Sequence, residues 1–166
     1  MRGGANLRPV MFMDLTVILD RRLAVGGGIW TSEAMADLAR RGFTHILNLQ
    51  QEFDDSELAA GAGMIALWNP TGDDLAPKPA SFFERAVGFA LEALRDERAQ
   101  VYVHCAAGIH RGPLAAAAIM CGLGFSPEAA VALIVSRRAG ADFPEVYLES
   151  LRDWLERRTR EGTIGG

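Results

Sequence analysis

The chain is 166 residues long, with 17 basic and 21 acidic side chains, a net charge of −4 and a pI near 5.4. That length suits one domain with a real core, and the acidic balance argues against a general nucleic-acid binder. At 49% hydrophobic and 23% charged the composition is that of an ordinary globule, and Lys78 is the only lysine. Two cysteines, Cys105 and Cys121, cannot make a disulfide framework, so nothing calls for an oxidising compartment. The apolar run from Val10 is broken by Asp14 and does not read as a signal peptide, and no uninterrupted apolar stretch is long enough to span a bilayer. A cytoplasmic monomer that binds neither nucleic acid nor membrane is the expectation.

In chain order, short apolar runs predict strands at 10–13, 15–19, 23–25, 44–49, 64–68 and 100–104. The later runs are continuous, as strands buried on both faces require. Gly26, Gly27 and Gly28 mark a turn, and a helix follows over 32–41, with Ser32 as cap, an early Glu33 and Gly42 as stop. Asp54 and Asp55 read as a solvated turn before Ser56 caps a short helix. The segment 79–95 puts Phe83, Val87, Ala90 and Leu94 on one helical face. An Ala-rich helix spans 111–123, another starts at Ser126-Pro127-Glu128, and 144–160 carries Tyr147, Leu151, Trp154 and Leu155 on one stripe. Arg137 and Arg138 read as a solvated helix end, with a contribution to the positive potential of a phosphate site as the alternative. Residues 1–8 and 161–166 are Gly-rich or polar and are expected to be loose tails on a single domain, 9–160. Strands alternating with helices predict an α/β three-layer sandwich, its mainly parallel central sheet of about four to five strands flanked by helices. Sites in such sheets lie at the carboxyl ends of strands.

One such end carries chemistry: Val101-Tyr102-Val103-His104-Cys105-Ala106-Ala107-Gly108-Ile109-His110-Arg111-Gly112-Pro113. A strand ends at His104, a five-residue loop follows Cys105, and Arg111 opens a helix. A tight loop aims successive N–H groups inward and the helix N-terminus adds its dipole, an arrangement suited to phosphate. Gly108 gives the backbone freedom to turn, and Arg111 offers a planar fork of donors for two phosphate oxygens. The same field favours the thiolate of Cys105, an activated nucleophile toward a bound phosphate ester. His104 is placed to orient the loop by hydrogen bonding. Ala106, Ala107, Gly108, Ile109, His110 and Arg111 are the expected substrate-binding residues, although His110 could equally face solvent.

The loop matches the His-Cys-x5-Arg signature of the cysteine-dependent protein phosphatases, and the chain resembles the dual-specificity phosphatases. Leu23-Ala24-Val25-Gly26-Gly27, Gly42-Phe43-Thr44-His45-Ile46-Leu47-Asn48-Leu49, Phe83-Glu84-Arg85-Ala86 and Ser126-Pro127-Glu128-Ala129-Ala130 are similar to flanking segments of that family. The resemblance implies a two-step reaction through a phosphocysteine, with an aspartate from an upstream loop protonating the leaving oxygen. Asp73 and Asp74 occupy that loop; counting back from Phe83-Glu84-Arg85-Ala86 favours Asp73 and leaves Asp74 as the alternative. Most relatives have Ser or Thr after the arginine, where Gly112 stands here, which implies slow hydrolysis of the phosphocysteine.

A dual-specificity protein phosphatase acting on phosphotyrosine and phosphoserine or phosphothreonine leads the readings. A phosphatase of a lipid or small phosphorylated metabolite, and a phosphate-binding pseudophosphatase, are the alternatives. No cofactor is expected and no metal, since Cys105, His104 and His110 are not spaced like a zinc site. Cys121 is expected in the core and His45 as a structural histidine.

Overall fold

The computed structural model of the protein describes residues 13–164. Strand β1 (Leu15–Leu19) and β2 (Leu23–Gly26) lead into α1 (Ser32–Arg40), β3 (His45–Gln50) and α2 (Ser56–Gly61). Strand β4 (Ile65–Thr71), α3 (Ala80–Ala93), β5 (Val101–His104), α4 (Arg111–Gly122), α5 (Pro127–Arg137) and α6 (Glu145–Ile164) complete the chain. The five strands form one sheet in the order β1-β2-β5-β3-β4, parallel throughout except for the antiparallel β1–β2 pair at one edge.

Period-two alternation along the inner strands explains the layers, because successive side chains leave opposite faces of a sheet. Leu23, Val25, Leu47, Leu49, Val101 and Val103 join the larger core with α3, α4, α5 and α6. Ala24, Ile46 and Tyr102 face the other way and pack with Met35 and Leu38 of α1 and Ala59 of α2. The three-layer sandwich is therefore written into the strands residue by residue. Helix α4 is buried all round from Arg111 to Met120. That position explains its four consecutive alanines, 115–118, which let neighbouring helices and the sheet approach closely.

The predicted helices and inner strands appear with shifted ends. Of the predicted strand at 10–13, residues 10–12 lie outside the described residues, as does the tail 1–8, and Met13 is not in a strand. Thr31, not Ser32, caps α1: its backbone is extended and its Oγ1 accepts from Ala34 N at 3.1 Å. Ser56 is the first residue of α2 rather than its cap, and its N–H goes to Asp54 Oδ1 at 3.0 Å. Helix α6 continues to Ile164, past residue 160, and no proline stands in the 161–164 segment to stop it. Among the described residues no helix is long and apolar enough to cross a membrane.

Tyr102 fastens the sheet beneath the coming loop. Its ring is fully buried and its hydroxyl donates to Gly27 O at 2.6 Å, tying β5 to the turn after β2. Burial pushes the phenol far up, so it stays a donor. Tyr102→Phe keeps the shape and orphans that carbonyl; the expected loss is about 1–3 kcal/mol of stability, measured by urea unfolding.

Candidate active site

The loop from Cys105 to His110 joins β5 to α4, and its geometry follows from where its carbonyl oxygens go. Cys105 O faces His104 Nδ1 at 3.2 Å, and Ala106 O accepts from Gly28 N at 3.0 Å. Ala107 O and Gly108 O accept from the Arg138 guanidinium, at 3.2 Å from Nη2 and 2.7 Å from Nε. Ile109 O accepts from Asp142 N at 2.9 Å and His110 O from Leu114 N at 3.1 Å. With the carbonyls held outward, the amides are free to turn in. Gly108 N lies 3.2 Å and Gly112 N 3.4 Å from the buried Cys105 Sγ, both donating to it. Gly108 sits at φ +67°, and a Cβ there would come within 2.4 Å of Arg138 Nη2 and 2.7 Å of the Gly26 backbone, so no other residue fits.

Two readings from sequence are corrected here. Arg138 is not a solvated helix end: it stands just past α5 in extended conformation, is buried, and also grips Asp14 through Nη1 at 3.0 Å and Nη2 at 2.8 Å. The carbonyl-lined back of the loop is what draws a guanidinium inside. Asp55 is not part of a solvated turn either. It is fully buried, its Oδ2 accepts from His104 Nε2 at 2.7 Å and its Oδ1 from Asn48 Nδ2 at 3.1 Å. Asp55 thus fixes the ring of the histidine that precedes the cysteine, while Asp54 makes the exposed turn contact.

Arg111 opens α4 with its side chain laid toward the acidic loops. Its Nη1 donates to Glu52 Oε2 at 3.0 Å and to Thr71 O at 2.9 Å. Its buried Nε has no partner, a donor left for a bound oxyanion. The hydrogen bond from Arg111 holds the Glu52 carboxyl below its usual range. Glu52 carries no sequence signal of this role, because its partner lies 59 residues away.

The two aspartates of the β4–α3 loop separate clearly. Asp73 reaches the rim of the cysteine loop, with Oδ2 2.9 Å from His110 Nδ1 and Oδ1 accepting from Tyr147 Oη at 3.0 Å. Burial works to raise its carboxyl, but the hydrogen bonds from His110 and Tyr147 outweigh it and leave it below the ordinary value. Asp74 is committed elsewhere: Oδ1 accepts from Ala76 N and from Lys78 Nζ, each at 3.0 Å. Lys78 Nζ also donates to Gly72 O and lies 5.0 Å from the centre of the Tyr147 ring, which fastens the loop from below. His110 therefore does not simply face solvent, and Tyr147, read from sequence as a core-stripe residue, is also a loop anchor.

Of the remaining loop residues, Ala106, Ala107 and Ile109 are exposed at the rim. At Gly112 a Cβ would stand 3.6 Å from Cys105 Sγ and 3.3 Å from Val25 Cγ1, so a small side chain beside the sulfur requires Val25 to give by a few tenths of an ångström. Cys121 is half-buried against the larger core, and its thiol is pushed up by burial. His45 bonds Thr44 Oγ1 at 2.8 Å and packs edge-on against Phe89, away from the loop. Among the described residues no group of three or more His, Cys, Asp or Glu is placed to hold a metal ion.

Arg138→Met removes two loop anchors at nearly constant volume. Inorganic phosphate binding, measured calorimetrically, is expected to weaken about tenfold or more, in line with the ~1.5–3 kcal/mol of a hydrogen bond to a charged group. Arg138→Lys, with charge but no fork, should recover only part of it.

No curated protein matches the chain significantly by sequence. Among solved structures, PTPMT1 superposes with a TM-score of 0.78 at 22% identity, covering 90% of this chain and 99% of that one. Tk-PTP in its active form gives 0.74 at 20%, over 89% and 99% of the two chains. Human DUSP28 gives 0.71 at 22%, over 88% and 95%. At these identities the likeness is one of fold. The sequence profile described as "Dual specificity phosphatase, catalytic domain" matches residues 28–157, from the turn after β2 into α6. A match over most of the chain, on the fold of those phosphatases, makes this protein a member of the dual-specificity phosphatase family.

Proposed function

We propose that the protein is a dual-specificity protein phosphatase that hydrolyses phosphotyrosine and phosphoserine or phosphothreonine esters through a phosphocysteine on Cys105. The observation that carries this reading is the pair of amides at the sulfur, Gly108 N and Gly112 N on Sγ, together with the unpartnered Nε of Arg111 at the start of α4. Donors preorganised around a nucleophile also stabilise the charge that develops on the equatorial oxygens of a transferring phosphoryl group. Cys105 Sγ attacks phosphorus, the loop amides and Arg111 hold the oxygens, and Asp73 gives a proton to the departing oxygen. Water then attacks phosphorus with Asp73 as base, and sulfur leaves with the electron pair of the S–P bond.

The rim favours a singly phosphorylated protein side chain over a polyphosphorylated headgroup. Glu52, Asp73 and Asp142 crowd it with carboxylates through their contacts to Arg111 and His110. Lys78, the only lysine of the chain, is spent on Asp74 and Gly72 O. Additional phosphates would meet like charge there. The lipid reading has one observation in its favour: a PTPMT1 structure in complex with PI(5)P superposes with a TM-score of 0.79 at 20% identity. The pseudophosphatase reading rests on Gly112, which offers the sulfur an amide but no hydroxyl.

Hydrolysis of phosphotyrosine and phosphothreonine peptides and of a phosphoinositide by wild type and variants tests the reading. Cys105→Ser is expected to fall to background. Asp73→Asn should lose about 10²–10⁴-fold on phosphothreonine, whose alkoxide leaves only with a proton. Asp74→Asn, which breaks a half-exposed ion pair, should change rates less than about tenfold. Full activity in Cys105→Ser overturns the mechanism, and preference for the phosphoinositide reassigns the substrate.

Gly112 adds a kinetic expectation. With no hydroxyl beside the leaving sulfur, wild type should show a burst of leaving-group release and then a slower steady state. Gly112→Ser should raise the steady rate about tenfold, a single hydrogen bond's ~1.4 kcal/mol, and diminish the burst. Stopped-flow measurement with an aryl phosphate checks both.

A further inference from the structure

The Asp73 carboxylate is an awkward proton donor as it stands. A general acid must carry a proton at working pH, yet two hydrogen bonds hold this carboxyl below its ordinary value. The same geometry offers a neighbour able to hold that proton. His110 Nδ1 lies 2.9 Å from Asp73 Oδ2 and its Nε2 3.1 Å from Asp142 Oδ2, so each ring nitrogen faces a carboxylate. A carboxylate on each nitrogen favours the imidazolium.

We propose that His110 is the proton store of the reaction, acting through Asp73: the pair His110–Asp73, rather than Asp73 alone, supplies the proton to the leaving oxygen. This rests on the phosphatase reading above, with Asp73 as the acid. The groups facing His110 come from four elements. Asp73 approaches from the β4–α3 loop, Asp142 from the α5–α6 loop and Tyr147 from α6, its ring 6.5 Å away edge-on. Arg111 follows His110 in α4 and acts on Asp73 electrostatically, as the only cation among these groups. Partial burial opposes charge on the imidazole, but the hydrogen bonds and charges of Asp73 and Asp142 outweigh it and raise its pKa above the ordinary value.

The protons balance over the cycle. In the first step the S–P bond forms and the P–O ester bond breaks. The leaving oxygen takes a proton from the Asp73 carboxyl, which has received it from His110 Nδ1, and His110 becomes neutral. In the second step water attacks phosphorus, the S–P bond breaks with its electron pair returning to sulfur, and the water proton passes to Asp73 and back to Nδ1. An alcohol and phosphate are the net products, and the pair returns to imidazolium and carboxylate.

His110→Asn tests this, because its amide can still donate to Asp73 but cannot store a proton. In wild type the descending limb of kcat against pH should report the raised imidazole, above about 6.5. In His110→Asn it should fall by at least about 2.5 pH units, the gap between ordinary imidazole and carboxyl values, while the low-pH limb keeps its shape. Removing Asp142 in Asp142→Asn should move the limb the same way by less. NMR titration of the His110 ring provides an independent readout: its midpoint should drop in Asp73→Asn. A limb that stays in place in His110→Asn, a loss uniform across pH, or a His110 midpoint unaffected by Asp73→Asn overturns the store while leaving Asp73 and Cys105 in their roles. A wild type silent on every substrate, or Cys105→Ser as active as wild type, instead overturns the phosphatase reading and the store with it.

Discussion

Everything at this site depends on the outward pinning of one loop's carbonyl oxygens. A peptide unit that turns its oxygen out turns its N–H in, so five occupied carbonyls from Ala106 to His110 amount to a concave ring of donors. The partners come from every side: Gly28 from the turn after β2, Arg138 from the end of α5, Asp142 from the loop before α6, and Leu114 from α4 itself. No single element could hold this loop. The sandwich matters because it brings these four places behind the end of β5. A buried polar network of this kind is costly when partly satisfied, and so it specifies one loop conformation rather than several.

Around that ring the charges are set by competition rather than by net sign. The chain carries −4 overall, yet one arginine, a helix start and inward amides meet at the loop. The acidic groups at the rim are each tied down: Glu52 to Arg111, Asp73 to His110 and Tyr147, Asp142 to His110. Tethering them limits repulsion of one dianion while leaving the rim hostile to several. The Lys78 contact to Asp74 is also what divides two adjacent aspartates into one that faces the loop and one that braces it.

Much of this was legible in the sequence, and the parts that were not share a physical reason. The alternation of Leu23, Val25, Val101 and Val103 against Ala24 and Tyr102 is local, so the layers follow from short windows, while the strand order rests on pairings between distant segments. The Cys105-to-Arg111 spacing is local too, and its turn residue, Gly108, stands where the left-handed conformation is needed. Asp55 and Arg138 were misread because their partners, His104 and the loop carbonyls, lie 49 and about thirty residues away. A paired Asp-Asp or Arg-Arg in a polar stretch looks solvated until the fold supplies a buried acceptor or donor. Arg138 was harder still, because it stands just beyond α5, where helical periodicity no longer assigns a face.

The central claim is that this ring of donors makes Cys105 the atom that takes the phosphoryl group. Rapid acid quench of the enzyme with a phosphorylated peptide, followed by mass spectrometry of the proteolytic fragments, tests it most directly. The expected result is a transient phosphoryl adduct on the fragment containing Cys105, present in wild type and accumulating in Asp73→Asn only with an aryl phosphate that needs no acid. Turnover with no adduct on that fragment, or with the phosphoryl group on another residue, would contradict the account.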